Sequence, residues 1–154
     1  MKASGMISLA VCAAFVSCAS RKPPSPATQA GAPPAAISLV GTEWQLEDLG
    51  GAGVLEHVEA TLTFPEAGKA AGNGSCNRFF GPVEISGDFI HFGPLASTRM
   101  ACPDAVANQE AKYLKALEGA ERFAREGPHL MVYCKEMEKP LRFTEMPTQH
   151  PPAP

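Results

Sequence analysis

Five cysteines, at positions 12, 18, 76, 102 and 134, are the side chains of this chain best suited to covalent chemistry. Two of them sit in distinctive surroundings. Cys76 follows a glycine-rich run, GNGSCNRFFG (72–81), and Cys102 ends TRMAC (98–102). Zinc would need ligands at characteristic spacings, but no CxxC pair exists and His57, His91, His129 and His150 are scattered. A nucleophilic Cys76 with His91 as base would need contact between the two and an orienting third group, and nothing in the spacing supplies either. No metal, no cofactor and no catalytic residue is therefore expected. Oxidation to a disulfide remains, and it depends on the compartment in which the chain folds.

The N-terminus speaks to compartment. Lys2 precedes an apolar run, GMISLAVCAAFV, of about a dozen residues, too short for a bilayer core that needs roughly 20. This predicts an export signal over residues 1–17. FVSCAS then resembles the lipobox of bacterial lipoproteins, with Phe15 where leucine is usual, which implies lipidation of Cys18 as the new N-terminus. The alternative is an ordinary signal peptide cut near Ser17 or Ala19. Several acyl chains on Cys18 would anchor the protein stably. Ala19 in place of Asp leans to the outer membrane, facing the periplasm.

Residues 18–38 contain five prolines and few large apolar groups. Such a segment predicts a disordered, semi-rigid spacer. The tail from Met146 to Pro154 is expected to be disordered as well. The part between, residues 39–145, holds all 16 acidic residues and ten of the 13 basic ones. An acidic domain without a basic patch makes nucleic acid an unsuitable partner.

Within that domain the hydrophobic period is mostly two. EWQLEDL (43–49) turns Trp44 and Leu46 to one side. VEATLTF (58–64) does so with Val58, Ala60, Leu62 and Phe64, and PVEIS (82–86) with Val83 and Ile85. Gly87-Asp88 predicts a hairpin into FIHF (89–92), and HLMVYC (129–134) and PLRFTE (140–145) form a further pair. Trp44, Phe64, Phe89 and Phe92 are expected inside. PDAVANQEAKYLKALEGAERFARE (103–126) predicts one helix, with Asp104 as N-cap, Gly127-Pro128 as the stop, and its Glu and Lys residues on the solvent side. The expected fold is mainly β (α+β): a small antiparallel, barrel-like curled sheet of about six to eight strands with one packed helix, as a monomer.

If the strands between Cys76 and Cys102 run up and down, both cysteines return to one edge of the sheet. A bridge there closes a loop of about 26 residues, worth roughly 3–4 kcal/mol in the chain-entropy model. The alternative is three reduced, buried cysteines; Cys134, alternating with Leu130 and Val132, is expected to be buried either way. GNGS could cradle an anion on its backbone N–H groups, or Gly72 and Gly74 could simply supply positive φ in a turn. Asn73-Gly74-Ser75 also matches a glycosylation sequon.

GTEWQLEDL (41–49), GNGSCNRFFG, TRMAC, the helix segment EAKYLKAL at 110–117 and HLMVY together resemble the META domain, or HslJ-like, family across residues 39–145. The resemblance implies a bacterial cell-envelope protein, often a lipoprotein, on a small β-barrel-like fold with one helix and a role in stress or antibiotic tolerance. It implies no catalytic residues. It locates a signature at Cys76, Asn77, Arg78, Gly81, Thr98, Arg99 and Cys102. Asn77, Arg78, Thr98 and Arg99 could line a binding surface; the favoured reading is structural, with Asn77 and Thr98 bonding turn backbones and the arginines pairing with local carboxylates. The function expected is a non-enzymatic, lipid-anchored module with an envelope protein partner. The alternatives are a carrier of a small apolar ligand inside the barrel and a protease inhibitor, the latter disfavoured by the glycine-rich Gly50–His57 segment.

Overall fold

The computed structural model describes residues 38–147. The expected signal peptide, the lipidation of Cys18, nearly all of the spacer and the tail beyond Pro147 lie outside the described residues. Among the described residues no helix is long and apolar enough to cross a membrane.

The described residues form nine strands and one helix, in the order β1 (Glu43–Leu49), β2 (Thr61–Glu66), β3 (Lys69–Asn73), β4 (Arg78–Ser86), β5 (Phe89–Phe92), β6 (Ala96–Ser97), α1 (Asp104–Glu118), β7 (Ala120–Glu126), β8 (His129–Cys134) and β9 (Leu141–Glu145). The sheet runs β3-β2-β1-β9-β8-β7-β5-β4, and β4 pairs back to β3, so eight antiparallel strands close a barrel. Closure removes the unpaired edges that an open sheet would present. The two-residue β6 adds to β4 beside β5. Bulges between Leu46 and Asp48 and between Ala120 and Arg122 help bend the strands round.

The inward side chains follow the period-two reading in most strands. Trp44, Leu62, Phe64, Phe79, Phe92 and Phe143 are each at most 1 % exposed. Each such burial contributes roughly 1.5–3 kcal/mol. α1 adds Tyr113 and Leu117 to this interior. Tyr113 meets Phe79 edge-on at 5.8 Å and Phe143 at 6.1 Å, and its hydroxyl donates to the Thr61 carbonyl at 3.1 Å. The helix thereby packs against strands β2, β4 and β9 at once.

Several expectations need correction. The helix ends at Glu118, and residues 120–126 form β7. Ala, Glu and Arg favour helix, but Gly119 breaks it and the ladder to β8 claims the following backbone. Gly127-Pro128 is therefore the β7–β8 turn, with Gly127 at φ 60°. Asp104 is not the N-cap. Pro103 holds that position, and Asp104 places its carboxylate in the first helical turn, where the helix dipole favours it. Phe89 is 61 % exposed, because Ile90 and Phe92 take the two inward positions of β5. The Arg122 guanidinium covers its ring at 5.9 Å. Ile85, beside the Gly87-Asp88 hairpin, is 36 % exposed. The Gly50–His57 segment is tethered: the Asp48 carboxylate accepts from the backbone N–H groups of Gly51 and Gly53.

Cys134 is the free thiol of the described residues and is buried. Burial, helped by the charge of Glu121, pushes this thiol up to about 12 from its ordinary 9.0. Burial moves Tyr113 upward too. Between these values the unfolded chain has lost the thiol proton and the folded chain keeps it, so stability falls as pH rises from 9 toward 12. Cys134→Ala should show a shallower decline of the denaturant midpoint above pH 9 than the parent protein. Equal slopes would refute this assignment.

Candidate functional site

β3 ends at Asn73 and β4 begins at Arg78, so the glycine run becomes a tight connection between two adjacent strands. The Gly74 N–H donates to the Asn77 carbonyl at 2.7 Å, and the Ser75 N–H to Asn73 Oδ1 at 3.1 Å. Two consecutive backbone N–H groups, of Cys76 and Asn77, then point at one oxygen, Glu110 Oε2, at 3.0 and 2.6 Å. Asn77 Nδ2 donates to the other, Oε1, at 2.8 Å. Glu110 is 9 % exposed. Successive N–H groups of this kind make an anion-binding concavity. Here the chain's own Glu110 occupies it.

This arrangement corrects the reading of the glycines. Neither Gly72 nor Gly74 has positive φ; Ser75 does, at 114°. Glycine is required at both positions by close approach. A Cβ on Gly74 would stand 2.9 Å from Glu110 Cγ and Oε2, and one on Gly72 would collide with the Thr61 carbonyl and the Phe79 ring. The unfavourable backbone at Ser75 is held by Gln109, whose Nε2 donates to Ser75 Oγ at 3.0 Å. Gln109 Oε1 accepts from the Leu55 N–H at 2.7 Å. Neighbouring helix residues thus bind the Cys76 turn and the segment after β1.

The second signature block packs over the first. Asn77 Oδ1 accepts from Thr98 Oγ1 at 3.0 Å and from the Met100 N–H at 2.7 Å. Thr98 Oγ1 accepts from the Arg78 N–H at 3.2 Å, and the Thr98 N–H donates to the Arg78 carbonyl at 3.0 Å. Cys76 and Cys102 are joined by a disulfide with their Cα atoms 6.4 Å apart. Cys76, Asn77, Thr98 and Cys102 therefore meet at one place. Gly81 does not join them. It lies within β4, where a Cβ would press on Leu95 and the Pro94 carbonyl.

Arg78 and Arg99 depart from expectation. Both are exposed, and among the described residues neither forms an ion pair. They do not pair with local carboxylates, although Glu43 and Glu59 line the same groove as Arg78. Glu110 and Gln109 are the residues that sequence reasoning missed, having assigned the helix's glutamates to solvent. The signal was present: Glu110 stands three residues before Tyr113 and seven before Leu117, on the inward stripe. Chemically the cluster is saturated. Both Glu110 oxygens accept hydrogen bonds and both sulfurs are oxidised, so no free base or nucleophile stands here. Beside it runs a groove of about 910 Å³ between Gln45, Leu46, the 54–59 segment and Met100.

Comparison with known proteins agrees with this architecture. The family model described as META domain matches residues 37–147. The NMR structure of a protein from Burkholderia xenovorans is 24 % identical, with a TM-score of 0.57, covering 81 % of this chain and 99 % of its own. A second NMR structure is also 24 % identical, with a TM-score of 0.56, covering 69 % of this chain and 90 % of its own. At that identity both likenesses concern the fold alone. No protein of curated function matches the sequence significantly.

Glu110→Ala removes the acceptor of three N–H donors. Two of these donors are buried, and each left unpaired costs roughly 1–3 kcal/mol, so the variant should lose at least about 2 kcal/mol in denaturant unfolding. Glu110→Gln, which keeps one oxygen, should fall between the two. A Glu110→Ala midpoint equal to the parent's would remove Glu110 from its organising role. Separately, reduction of Cys76–Cys102 should lower stability by roughly 3–4 kcal/mol, measured with and without dithiothreitol; unchanged unfolding would show that the bridge constrains little.

Proposed function

We propose, from the premise that this chain belongs to the META domain family, that it is a non-catalytic protein-interaction module held at a bacterial outer membrane by lipid on Cys18. The observation that carries the reading is the outer side of the signature. The Glu110 network draws the polar groups of Asn77 and Thr98 inward and leaves Arg78, Phe80, Arg99 and Met100 on the surface. Phe80 and Met100 are 62 % and 63 % exposed. Arginine, phenylalanine and methionine are the residue types enriched at protein interfaces, and such anchors supply most binding energy when a partner buries them.

The partner that fits is an envelope protein presenting acidic side chains around an apolar contact. A role in stress or antibiotic tolerance would be exercised through that partner. The lipobox-like sequence at Cys18 and the proline-rich residues after it support a domain tethered at a distance from the membrane. The saturated hydrogen bonding at the Cys76 turn supports binding over catalysis.

The test compares the acylated chain with Arg78→Glu/Arg99→Glu in crosslinking from envelope extract. The charge reversal should reduce recovery of a partner by at least about tenfold, equivalent to roughly 1.4 kcal/mol. The Cys18→Ser variant should lose membrane association while keeping the fold. Identical crosslinked species from parent and reversed protein would overturn the surface assignment. Equal solubility of the parent and Cys18→Ser would overturn the anchor.

A further inference from the structure

The C-terminal half of α1 faces a second, unrelated feature. Gly119 ends the helix, and its carbonyl accepts from the Lys135 N–H at 2.7 Å, which ties the end of β8 to the helix end. Between this junction and the end of β1 lies a cavity of about 380 Å³, within the usual range for small-molecule sites. Its floor is apolar. Leu49 and Ala116 are each 8 % exposed, and Met137 packs partly buried against the core. The Met137 methyl lies so close over Gly50 that a Cβ there would collide with it. A flexible thioether thus forms one wall, and such side chains adapt readily to a guest.

The rim has the opposite character. Lys112, Lys115 and Lys135 line the mouth against a single carboxylate, Glu136. Among the described residues none of the three lysines forms an ion pair. Partial negative charge at a helix end accounts for one cation in the last turn, here Lys115. It does not account for three lysines lining an apolar opening in a chain of net charge −3. Long aliphatic stems with charged tips suit a ligand that is apolar below and anionic above.

We infer that this cavity binds an amphipathic anion, with a short apolar chain over Leu49, Ala116 and Met137 and a carboxylate or phosphate head among Lys112, Lys115 and Lys135. The site is distinct from the barrel interior and from the Arg78–Met100 surface. Calorimetric titration of the full chain with octanoate, octyl phosphate, octanol and butyrate tests it. At least one of the two amphipathic anions should bind about tenfold or more tightly than octanol and butyrate, and whichever anion is preferred identifies the head group. Lys115→Gln/Lys135→Gln should weaken that binding by about tenfold or more. Ala52→Trp, which fills the cavity from an exposed position, should abolish it with the unfolding midpoint unchanged. The inference is overturned if octanol binds as well as the anions, if neither anion binds, or if the lysine variant binds like the parent.

Discussion

A buried carboxylate that has found three N–H donors organises the whole signature region. Taking an anion out of water is costly, and the cost is offset only when hydrogen-bond donors are fixed around it. Glu110 meets that condition with the backbone of Cys76 and Asn77 and the Asn77 amide. The condition propagates outward. Two consecutive N–H groups can converge on one oxygen only if the turn is tight, and the turn can lie against the helix only if Gly74 lacks a side chain. Once Asn77 has committed its amide nitrogen inward, its oxygen is left for Thr98 and Met100. One hydrogen-bond network therefore joins the two signature blocks.

The disulfide and the carboxylate act on the same loop by different physics. Joining Cys76 to Cys102 restricts the unfolded chain. Glu110 acts on the folded state, by pairing groups that would otherwise be buried without partners. Neither substitutes for the other. The bridge limits how far the 98–102 segment can travel, but it does not orient the peptide groups of the turn. The network orients them, and it joins three separate stretches of chain, at 75–78, 98–100 and 109–110. Together they hold the Arg78–Met100 surface in one shape, so a partner of the kind proposed would meet it at a lower conformational cost.

Much of this architecture was legible from alternation alone. Strands β1, β8 and β9 and the Gly87-Asp88 hairpin follow from period-two patterns and turn chemistry, and burial of Cys134 follows from its place beside Leu130 and Val132. β7 was not legible, because AERFARE is built from residues that favour helix and only pairing with β8 decides its state. Phe89 misled because two aromatic residues three apart cannot share one face of a regular strand, and inward space goes to Ile90 and Phe92. At the site, the cysteines and Asn77 stood out by type. Glu110 did not, since a glutamate on an amphipathic helix is ordinarily solvated and its donors lie 33 and 34 residues away. A hydrogen-bond network between distant backbone groups leaves almost no local trace in sequence.

Helix α1 carries two roles along one axis. Its first half turns Gln109 and Glu110 toward the Cys76 turn, and its second half turns Ala116 toward a lysine-rimmed cavity. At 1.5 Å per residue, the two regions are separated by several ångströms and share no side chain. They differ in what the helix must supply: buried acceptors at one end, an apolar wall with cationic edges at the other. A chain with an excess of carboxylates creates no broad field that attracts anions. Its unpaired cations therefore act at short range, where a ligand or partner must also match the apolar surface beside them. Under the two proposed readings, selectivity for amphipathic or mixed acidic–apolar targets over polyanions such as nucleic acid would follow from that combination of long-range repulsion and local attraction.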